Sequence, residues 1–161
     1  MVPVRLLGVT VPYPLEKYTK IQALDPYFFQ CCDPATDTFM FYGFLHVPTA
    51  KEQEAANGTL QSACQVLTSW PYRAGFFGKP EPTEVPETNA ERMAWVKTIT
   101  SGWIEPFRGL VQDIPDDAEL KVINLEDWPP QKGSWDNRRG RVTLIGDAAH
   151  AMTMCKSSEP F

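Results

Sequence analysis

A turn between an apolar run and small residues lies in the stretch GRVTLIGDAAHAMT, residues 140–153. The run Arg141–Ile145 is rich in β-branched residues and lies between two glycines, which predicts a short buried strand. Gly146 has no Cβ, so the backbone can turn tightly there and a ligand can come close. Asp147 has two open interpretations: it caps a helix that begins at Ala148, or it directs its carboxylate at a ligand hydroxyl. The free N–H groups of such a helix start would favour negative charge on the ligand.

Few other residues have the spacing of a catalytic or metal site. No Ser/His/Asp arrangement is identifiable from spacing, so His150 is expected to be structural and no catalytic residue is assigned. His46 ends an aromatic run with no second ligand near it, so we expect a packed or surface position. The four cysteines have no C-x-x-C spacing, and with two histidines a metal site is not expected. The basic run DNRRGR, residues 136–141, is a solvated loop or, alternatively, a phosphate or NADPH contact.

An aromatic cluster in the first third of the chain leaves two interpretations open. Its side chains either pack in the core or line a pocket for an aromatic substrate, because large rings serve both purposes. The cluster consists of Phe28, Phe29, Phe39, Phe41, Tyr42 and Phe44.

Alternating apolar patterns predict the strands that must position these residues. Pro26–Pro48 is predicted to be a hairpin, because two aromatic-rich runs flank DPATDT, a sequence typical of turns. Phe39–Leu45 is apolar at both alternating sets of positions, so this strand is expected to be covered on both faces. Further strands are predicted over Gln61–Tyr72 and Glu119–Trp128. One face of the strand at 61–72 is expected to consist of Cys64, Val66, Thr68 and Trp70.

Two helices are predicted between these strands. Thr88 and Glu91 have the spacing of a capping box, which places a helix start there. Pro106 is expected to kink or end this helix, and Pro115 to stop a second, shorter one. The buried face of the first is expected to contain Val96, Ile99, Trp103 and Phe107, and that of the second Phe107, Leu110, Val111 and Ile114.

The order of these elements indicates the fold class. Strands, helices and strands follow one another without a regular β-α-β alternation, which favours α+β over a doubly wound sheet. The expected fold is a mixed β-sheet with packed helices, followed by a strand, a turn and a helix start at residues 141–148.

Length, charge and hydropathy limit the classes of protein to which the chain can belong. A chain of 161 residues, 43% of them hydrophobic, is about the size of one domain with a core. A net charge of −5 gives no basic footprint for nucleic acid. No apolar run reaches the roughly 20 residues of a membrane span, and the N-terminal run is too short and too broken by proline for a secretory signal. We therefore expect a cytoplasmic protein. The proline-rich stretches VPYP, KPEPTEVPET and DWPP are expected to be stiff surface loops.

The stretch Arg141–Thr153 resembles the second flavin-contacting motif of the FAD-dependent aromatic hydroxylases, the class A flavoprotein monooxygenases that include para-hydroxybenzoate hydroxylase. In that family a strand precedes the Gly-Asp pair, and the aspartate binds the ribityl chain of FAD. The resemblance implies that Gly146 and Asp147 contact FAD, with Ala148 in the turn. Four upstream stretches are similar to the substrate-domain region of fungal members, where a β-sheet covers the reactive side of the flavin. They are residues 24–48, 69–76, 88–120 and 126–138.

Three features of that family are not found in this sequence. There is no G-x-G, and therefore no G-x-G-x-x-G fingerprint for the ADP part of FAD. There is no Asp-Gly pair, and MCKSSEPF stands where the family has a glycine-rich segment. We therefore expect a middle fragment, with a substrate-domain-like α+β region in residues 1–139. A partial FAD-binding segment with a divergent tail would follow in residues 140–161.

The resemblance also implies an activity for the intact enzyme. It would use FAD, NADPH or NADH, and O2 to hydroxylate or epoxidise an aromatic or polyketide-like small molecule, as in fungal secondary metabolism. The fragment alone is expected to bind FAD weakly or not at all and to be inactive, because one turn supplies few of the contacts that affinity requires. The alternative is a non-enzymatic interaction module whose β-sheet is the binding surface.

Overall fold

An antiparallel β-sheet is the main element of the protein, as seen in a computed structural model. The structure describes residues 3–49, 51–52, 61–127, 133 and 135–149. The chain divides into two units, one formed by Val4–Ile123 and the other by residues 1–3 with 124–161. No helix within the described residues is long and apolar enough to cross a membrane.

Five strands form the sheet, all in the unit Val4–Ile123. In chain order they are β1 (Val4–Pro14), β2 (Phe28–Asp33), β3 (Thr38–His46), β4 (Gln61–Pro71) and β5 (Lys121–Ile123). Their spatial order is β2-β3-β4-β1-β5, and each neighbouring pair is antiparallel. The predicted α+β class is confirmed. The sheet, expected to be mixed, is antiparallel in all its described pairs, since these strands are not linked by the crossover helices that parallel neighbours need.

Strand β1 is not among the strands that the sequence predicts, because VPYP suggests a surface loop. It pairs with β4 along its whole length, whereas β5 pairs with it only from Leu6 to Gly8. Past Gly8 no described strand pairs with this edge, and an unpaired edge is where a strand tolerates prolines such as Pro12 and Pro14. The prediction of a surface loop at Pro12 and Pro14 is therefore wrong, because both prolines belong to β1.

The hairpin predicted over Pro26–Pro48 is confirmed as β2 and β3. Its turn is held by the Asp33 carboxylate, which accepts hydrogen bonds from the Ala35 N–H (3.1 Å) and the Thr36 hydroxyl (2.6 Å). Asp37 completes the turn with a φ of +52°. Such use of aspartate side chains in turns is the reason why DPATDT is a strong turn signal.

One face of the sheet, which we call the inner face, is fully covered. The predicted face of β4 is confirmed, since its residues are at most 3% exposed: Cys64, Val66, Thr68 and Trp70. Met40 and Tyr42 of β3 are fully buried on the same face, whereas Phe39 and Phe41 on the opposite face are only half-buried. Coverage of β3 on both faces is therefore wrong, because the helices of this unit pack against one face.

Three α-helices have their full bounds among the described residues: α1 (Leu15–Gln22), α2 (Asn89–Ile99) and α3 (Phe107–Gln112). Lys51 and Glu52 are helical as well. The capping box that begins α2 is confirmed. The Glu91 N–H donates to the Thr88 hydroxyl (3.2 Å), and the Thr88 N–H donates to the Glu91 carboxylate (3.1 Å). Two of the N–H groups that any helix start leaves free are satisfied in this way.

Helix α2 ends earlier than the sequence predicts. The Thr100 hydroxyl donates to the Val96 carbonyl (2.7 Å), and Thr100 leaves helical geometry at φ −102°, ψ 1°. Trp103 therefore lies outside the helix, although it is buried and its indole N–H donates to the Thr38 hydroxyl (2.9 Å). Pro106 does not end α2 but precedes α3, whose predicted buried residues Leu110 and Val111 are confirmed.

The core lies between the inner face and helices α2 and α3. It combines Leu7, Val9 and Val11 of β1 with the buried inner-face residues of β3 and β4 and with Met93, Val96, Ile99, Leu110 and Val111. Strand β5 is shorter than the predicted Glu119–Trp128, and Trp128 lies outside the described residues. The Asn89 side chain holds the chain just before β5, since its carbonyl accepts from the Leu120 N–H (2.8 Å).

Candidate functional site

The turn Gly146–Ala148 carries the residues predicted to contact FAD. It is a 3-10 turn, and the Ala149 N–H donates to the Gly146 carbonyl (2.9 Å). Gly146 has a φ of +59°, a left-handed conformation that favours glycine. A Cβ built there would meet no atom within 4 Å, so the backbone of Gly146 is open to close approach. The structure thus agrees with the tight turn that the sequence predicts at this glycine.

The strand predicted before this turn is not formed. Residues 142–145 have no regular secondary structure, and Val142 and Ile145 are 48% and 79% exposed. A strand needs a hydrogen-bonded neighbour to be stable, and no described strand pairs with this run. Asp147 lies within the turn and Ile145 precedes it, so Asp147 is not the cap of this turn. His150 and the tail predicted to be divergent lie outside the described residues.

The basic run at residues 136–141 is exposed, as expected of a solvated loop. Arg138 and Arg139 have φ values of +51° and +59°, and Gly140 follows at +81°. Arg138 forms an ion pair with Asp136 (3.2 Å), and the Asn137 side-chain oxygen accepts from the Gly140 N–H (3.2 Å). These contacts are local to the loop. The alternative of a phosphate or NADPH contact stays a prediction.

The second candidate site is the sheet face opposite the core, which we call the open face. Leu6 and Leu67 lie on it, each 8% exposed, and neither belongs to the core cluster of the inner face. Around them lie half-buried Phe39 and Phe41 and the 53% exposed Phe28. The open face is therefore apolar and aromatic along four strands, β1 to β4.

Cross-strand register places glycines beside the large side chains of this face. Gly8 pairs with Leu67 across β1 and β4, and Gly43 pairs with Phe28 across β2 and β3. A Cβ at Gly8 would come within 2.8 Å of the Leu67 side chain, and one at Gly43 within 3.0 Å of the Phe41 ring. Neighbouring side chains thus fold over the glycines and fill part of the face.

A cavity of about 500 Å³ lies at the β2–β3 end of the open face. Rings from both strands line it, together with the amide side chains of Gln22 and Gln65. Phe28 and Phe41 are stacked there, with ring centroids 5.8 Å apart and planes 24° apart. This volume lies within the roughly 300–1,000 Å³ of sites for small organic ligands.

Which of the two interpretations of the aromatic cluster applies to a ring depends on the face of the sheet on which the ring lies. Tyr42 is fully buried in the core, with Phe29 stacked on it (5.0 Å) and Phe44 in edge contact (5.3 Å). Phe28 and Phe41 instead line the cavity of the open face, and Phe44 borders both regions. Core packing is thus right for some of these residues and wrong for others, because a strand presents alternate side chains to opposite faces.

Sequence reasoning missed Gln22 and Gln65 as candidate site residues. The signal for Gln65 was present, since the even positions of β4 were assigned to one face and the odd positions must lie on the other. Gln22 carried no such signal. It reaches the cavity only because α1 returns along the end of the sheet, where Tyr18 is in edge contact with Phe44 (5.3 Å).

Two of the described thiols, those of Cys31 and Cys64, are not suited to reaction, whereas Cys32 is exposed. Burial raises the pKa of Cys31 to about 12, with the neighbouring Cys32 as the smaller cause. Cys64 is fully buried in the core. No group of three or more metal-ligating residues occurs among the described residues, and Cys155 lies outside them. His46 is exposed and lies 3.9 Å from the Glu52 carboxylate, which agrees with the surface position expected for it.

Comparison with known proteins identifies the class to which these features correspond. Over almost all of its length the chain is homologous to fungal proteins named as FAD-dependent monooxygenases. The resemblance inferred from the sequence is therefore confirmed. No family model matches the chain, and no solved structure matches it.

Three relatives give the extent of this similarity. A probable FAD-dependent monooxygenase of Arthroderma benhamiae is 44% identical over 153 residues, 94% of this chain and 34% of the relative. The FAD-dependent monooxygenases tazP of Aspergillus terreus and dbaB of Emericella nidulans are 34% and 36% identical over 151 residues, 94% of this chain and 36% of each relative. The chain thus spans about a third of the length of these curated relatives.

Proposed function

We propose that this chain is part of an FAD-dependent monooxygenase, to which it supplies one contact for FAD and one wall of the substrate site. The observation that carries the proposal is the 34–44% identity over 94% of the chain to proteins named for that activity. In this proposal residues 1–139 form the substrate-domain region and residues 140–161 the FAD-binding segment.

The turn Gly146–Ala148 would hold FAD through its ribityl chain. Its backbone is suited to this role, since Gly146 leaves open space for close approach. The Asp147 carboxylate would accept a hydrogen bond from a ribityl hydroxyl, and the small Ala148 would leave room beside it. FAD supplies the chemistry when it is reduced by NADPH or NADH and reacts with O2, while the protein positions it.

The open face would line the substrate site. Its apolar and aromatic residues suit an aromatic or polyketide-like molecule and would exclude water from it. The covered inner face cannot take this role, because its residues are buried against α2 and α3. Residues such as Phe28 and Phe41 would thus contact substrate rather than support the fold.

The first experiment measures flavin absorbance and NADPH oxidation with the purified chain. Because one turn supplies few of the contacts that hold FAD, we expect substoichiometric flavin and no turnover. A stoichiometric yellow protein that oxidises NADPH with a substrate would contradict the expectation that the chain depends on further FAD-binding residues.

A chimera tests the role of Asp147 directly. The matching segment of the Arthroderma benhamiae relative is replaced by this chain, and flavin occupancy is measured after gel filtration. Asp147→Asn should lower the affinity for FAD at least tenfold, since hydrogen bonds to charged groups contribute about 1.5–3 kcal/mol. The flavin occupancy of the chimera should fall as a result. Asp117→Asn, an exposed carboxylate of the other unit, is the matched control and should retain FAD. Equal occupancy in both variants would exclude the proposed contact.

A second candidate function is an interaction module. It is favoured by the exposed apolar side chains near the β2 edge, which are Leu24, Tyr27, Phe28 and Leu45. Size-exclusion chromatography with light scattering distinguishes the two, because a clean flavin-free monomer fits a self-sufficient module and aggregation fits a separated part of an enzyme.

A further inference from the structure

The cavity at the β2–β3 end of the open face is formed by residues of a single unit. Side chains of α1, β2, β3, β4 and the adjoining loops line it, all within Val4–Ile123. Its ligand chemistry can therefore be examined with this chain and without FAD.

The walls of the cavity are flat and aromatic. Phe28 and Phe41 are stacked at 5.8 Å, and Tyr27 lies at the rim, 74% exposed. The rim is fixed from behind by Asp25, whose carboxylate accepts hydrogen bonds from the N–H groups of Tyr27 (2.8 Å) and Phe28 (3.0 Å). A planar ring is the ligand shape that such walls accept by stacking.

Two amide side chains supply the polar contacts. The Tyr18 hydroxyl donates to Gln22 Oε1 (2.7 Å), which orients the amide and leaves its Nε2 hydrogens as the donors toward a ligand. Gln65 reaches the cavity from β4, where it lies opposite Gly43. An oxygen that accepts hydrogen bonds, such as a ketone or a phenol oxygen, would complement these donors.

The described lining of the cavity offers an ionised ligand no charged side chain as a partner. Among the described residues, none that line it is Asp, Glu, Lys, Arg or His. An ionised carboxylate would gain no cationic partner from these residues.

We propose that this cavity binds an uncharged planar aromatic molecule with a hydrogen-bond-accepting oxygen, which Gln22 and Gln65 recognise. Only the naming of that molecule as the substrate rests on the proposed function. The geometry points to an aryl ketone or a neutral phenol and against an aromatic acid.

A matched pair of probes tests this inference on the purified chain. 2,4-Dihydroxyacetophenone and 2,4-dihydroxybenzoate share a ring and two hydroxyls but differ in a ketone against a carboxylate. We expect the ketone to bind at least tenfold more tightly by isothermal titration, with amide NMR shifts confined to residues around the cavity. Equal or tighter binding of the acid, no binding of the ketone at millimolar concentration, or shifts centred elsewhere would overturn the proposal.

Variants test the two amides. Gln65→Leu and Gln22→Leu keep the side-chain size and should each weaken ketone binding about three- to tenfold, as expected for the loss of one hydrogen bond. Thr10→Val is the control, because Thr10 pairs with Gln65 across β1 and β4 and is exposed but does not line the cavity. If neither leucine variant weakens binding while both keep the wild-type circular dichroism, recognition by the amides is excluded. Ketone binding without flavin uptake in the chimera would contradict only the proposed function, and flavin uptake without ketone binding only this inference.

Discussion

Single buried hydrogen bonds connect side chains of the sheet to the backbone that packs against it. The Tyr13 hydroxyl donates to the Leu110 carbonyl of α3 (2.5 Å), and burial raises the pKa of this tyrosine. The Trp70 indole N–H likewise donates to the Thr83 carbonyl (3.0 Å) within the core. Each bond satisfies a polar group away from water, where an unpaired group would be costly.

The Tyr13 hydroxyl provides a test of this connection. Tyr13→Phe leaves the Leu110 carbonyl without this donor in a buried position, and we expect the free energy of unfolding to fall by about 1–2 kcal/mol. Urea unfolding measures the change, and an unaltered m-value would show that the denatured state is unaffected. Tyr27→Phe is the control, since Tyr27 is largely exposed, and should stay within about 0.5 kcal/mol. Equal effects in the two variants would contradict the role of the Tyr13 hydrogen bond.

A pH-dependent contribution to stability comes from Glu84, which forms an ion pair with Arg5 at the start of β1. Hydrogen bonds from Arg5 (2.8 and 3.0 Å), followed by one from Tyr72, lower the pKa of Glu84 to about 2. Because the folded-state pKa lies below that of the unfolded chain, the stabilisation is present above about pH 4.5 and is lost as the pH falls toward 2.

The Glu84→Gln variant should therefore lack part of the acid-induced loss of stability. Because the Glu84 side chain is 62% exposed, we expect a contribution of about 1 kcal/mol or less at neutral pH. Unfolding free energies between pH 6 and pH 2.5 measure it. Glu87→Gln on the same segment should keep the wild-type decline, and a parallel decline in the Glu84 variant would argue against the ion pair.

At the scale of elements, local sequence signals position α2 but do not decide its end. The capping box at Thr88 and Glu91 is a contact within four residues, so the local sequence alone indicates it. Just past the end of α2 at Ile99, the Trp103 indole donates to Thr38 of the hairpin, a contact across 65 residues that no local pattern contains. The open and inner faces likewise differ only because helices cover one of them.

The contribution of the capping box can be measured in isolation. Thr88→Ala removes the side chain that accepts the Glu91 N–H, and we expect a loss of about 1 kcal/mol in unfolding free energy. Thr98→Ala lies in the exposed part of the same helix and should change stability by less than about 0.5 kcal/mol. Thermal and urea unfolding of both variants check this expectation, and it fails if Thr98→Ala is the more destabilised.

At the scale of the whole molecule, the two units differ in how their backbone is held. Residues 4–123 contain the sheet and helices α1 to α3, with a continuous buried core. The described residues of the other unit contain one short 3-10 turn and the exposed loop at 136–141. The apolar run at residues 142–145 belongs to this second unit.

Limited proteolysis with trypsin should reveal this difference. We expect cleavage after Arg138, Arg139 or Arg141 well before cleavage after Arg92, because a protease needs an exposed and extended backbone. Arg92 lies within α2, and its side chain donates to the carbonyls of Pro86, Glu87 and Leu120. Mass spectrometry of early digests identifies the sites. Early cleavage after Arg92 would show that residues 4–123 do not hold together as one unit.

Sequence reasoning was most successful where short-range chemistry decides the structure. The DPATDT turn, the capping box and the alternating face of β4 depend on neighbouring residues or on a fixed period, and all three are confirmed. It failed at β1, whose prolines suggested a loop, because the unpaired edge that accepts them exists only after the sheet has assembled. It also failed at residues 142–145, where composition favoured a strand but no described strand pairs with them.

The sequence by itself determined the resemblance to FAD-dependent monooxygenases, the α+β class and the tight turn at Gly146. These depend on residue identity, element order and the conformational freedom of glycine, which are properties of the chain before folding. Only the tertiary structure decided which aromatic rings face the core and which line a cavity, and that Gln22 and Gln65 accompany them. Strand pairing and helix packing bring residues 22, 28, 41 and 65 together, and no local pattern contains that information.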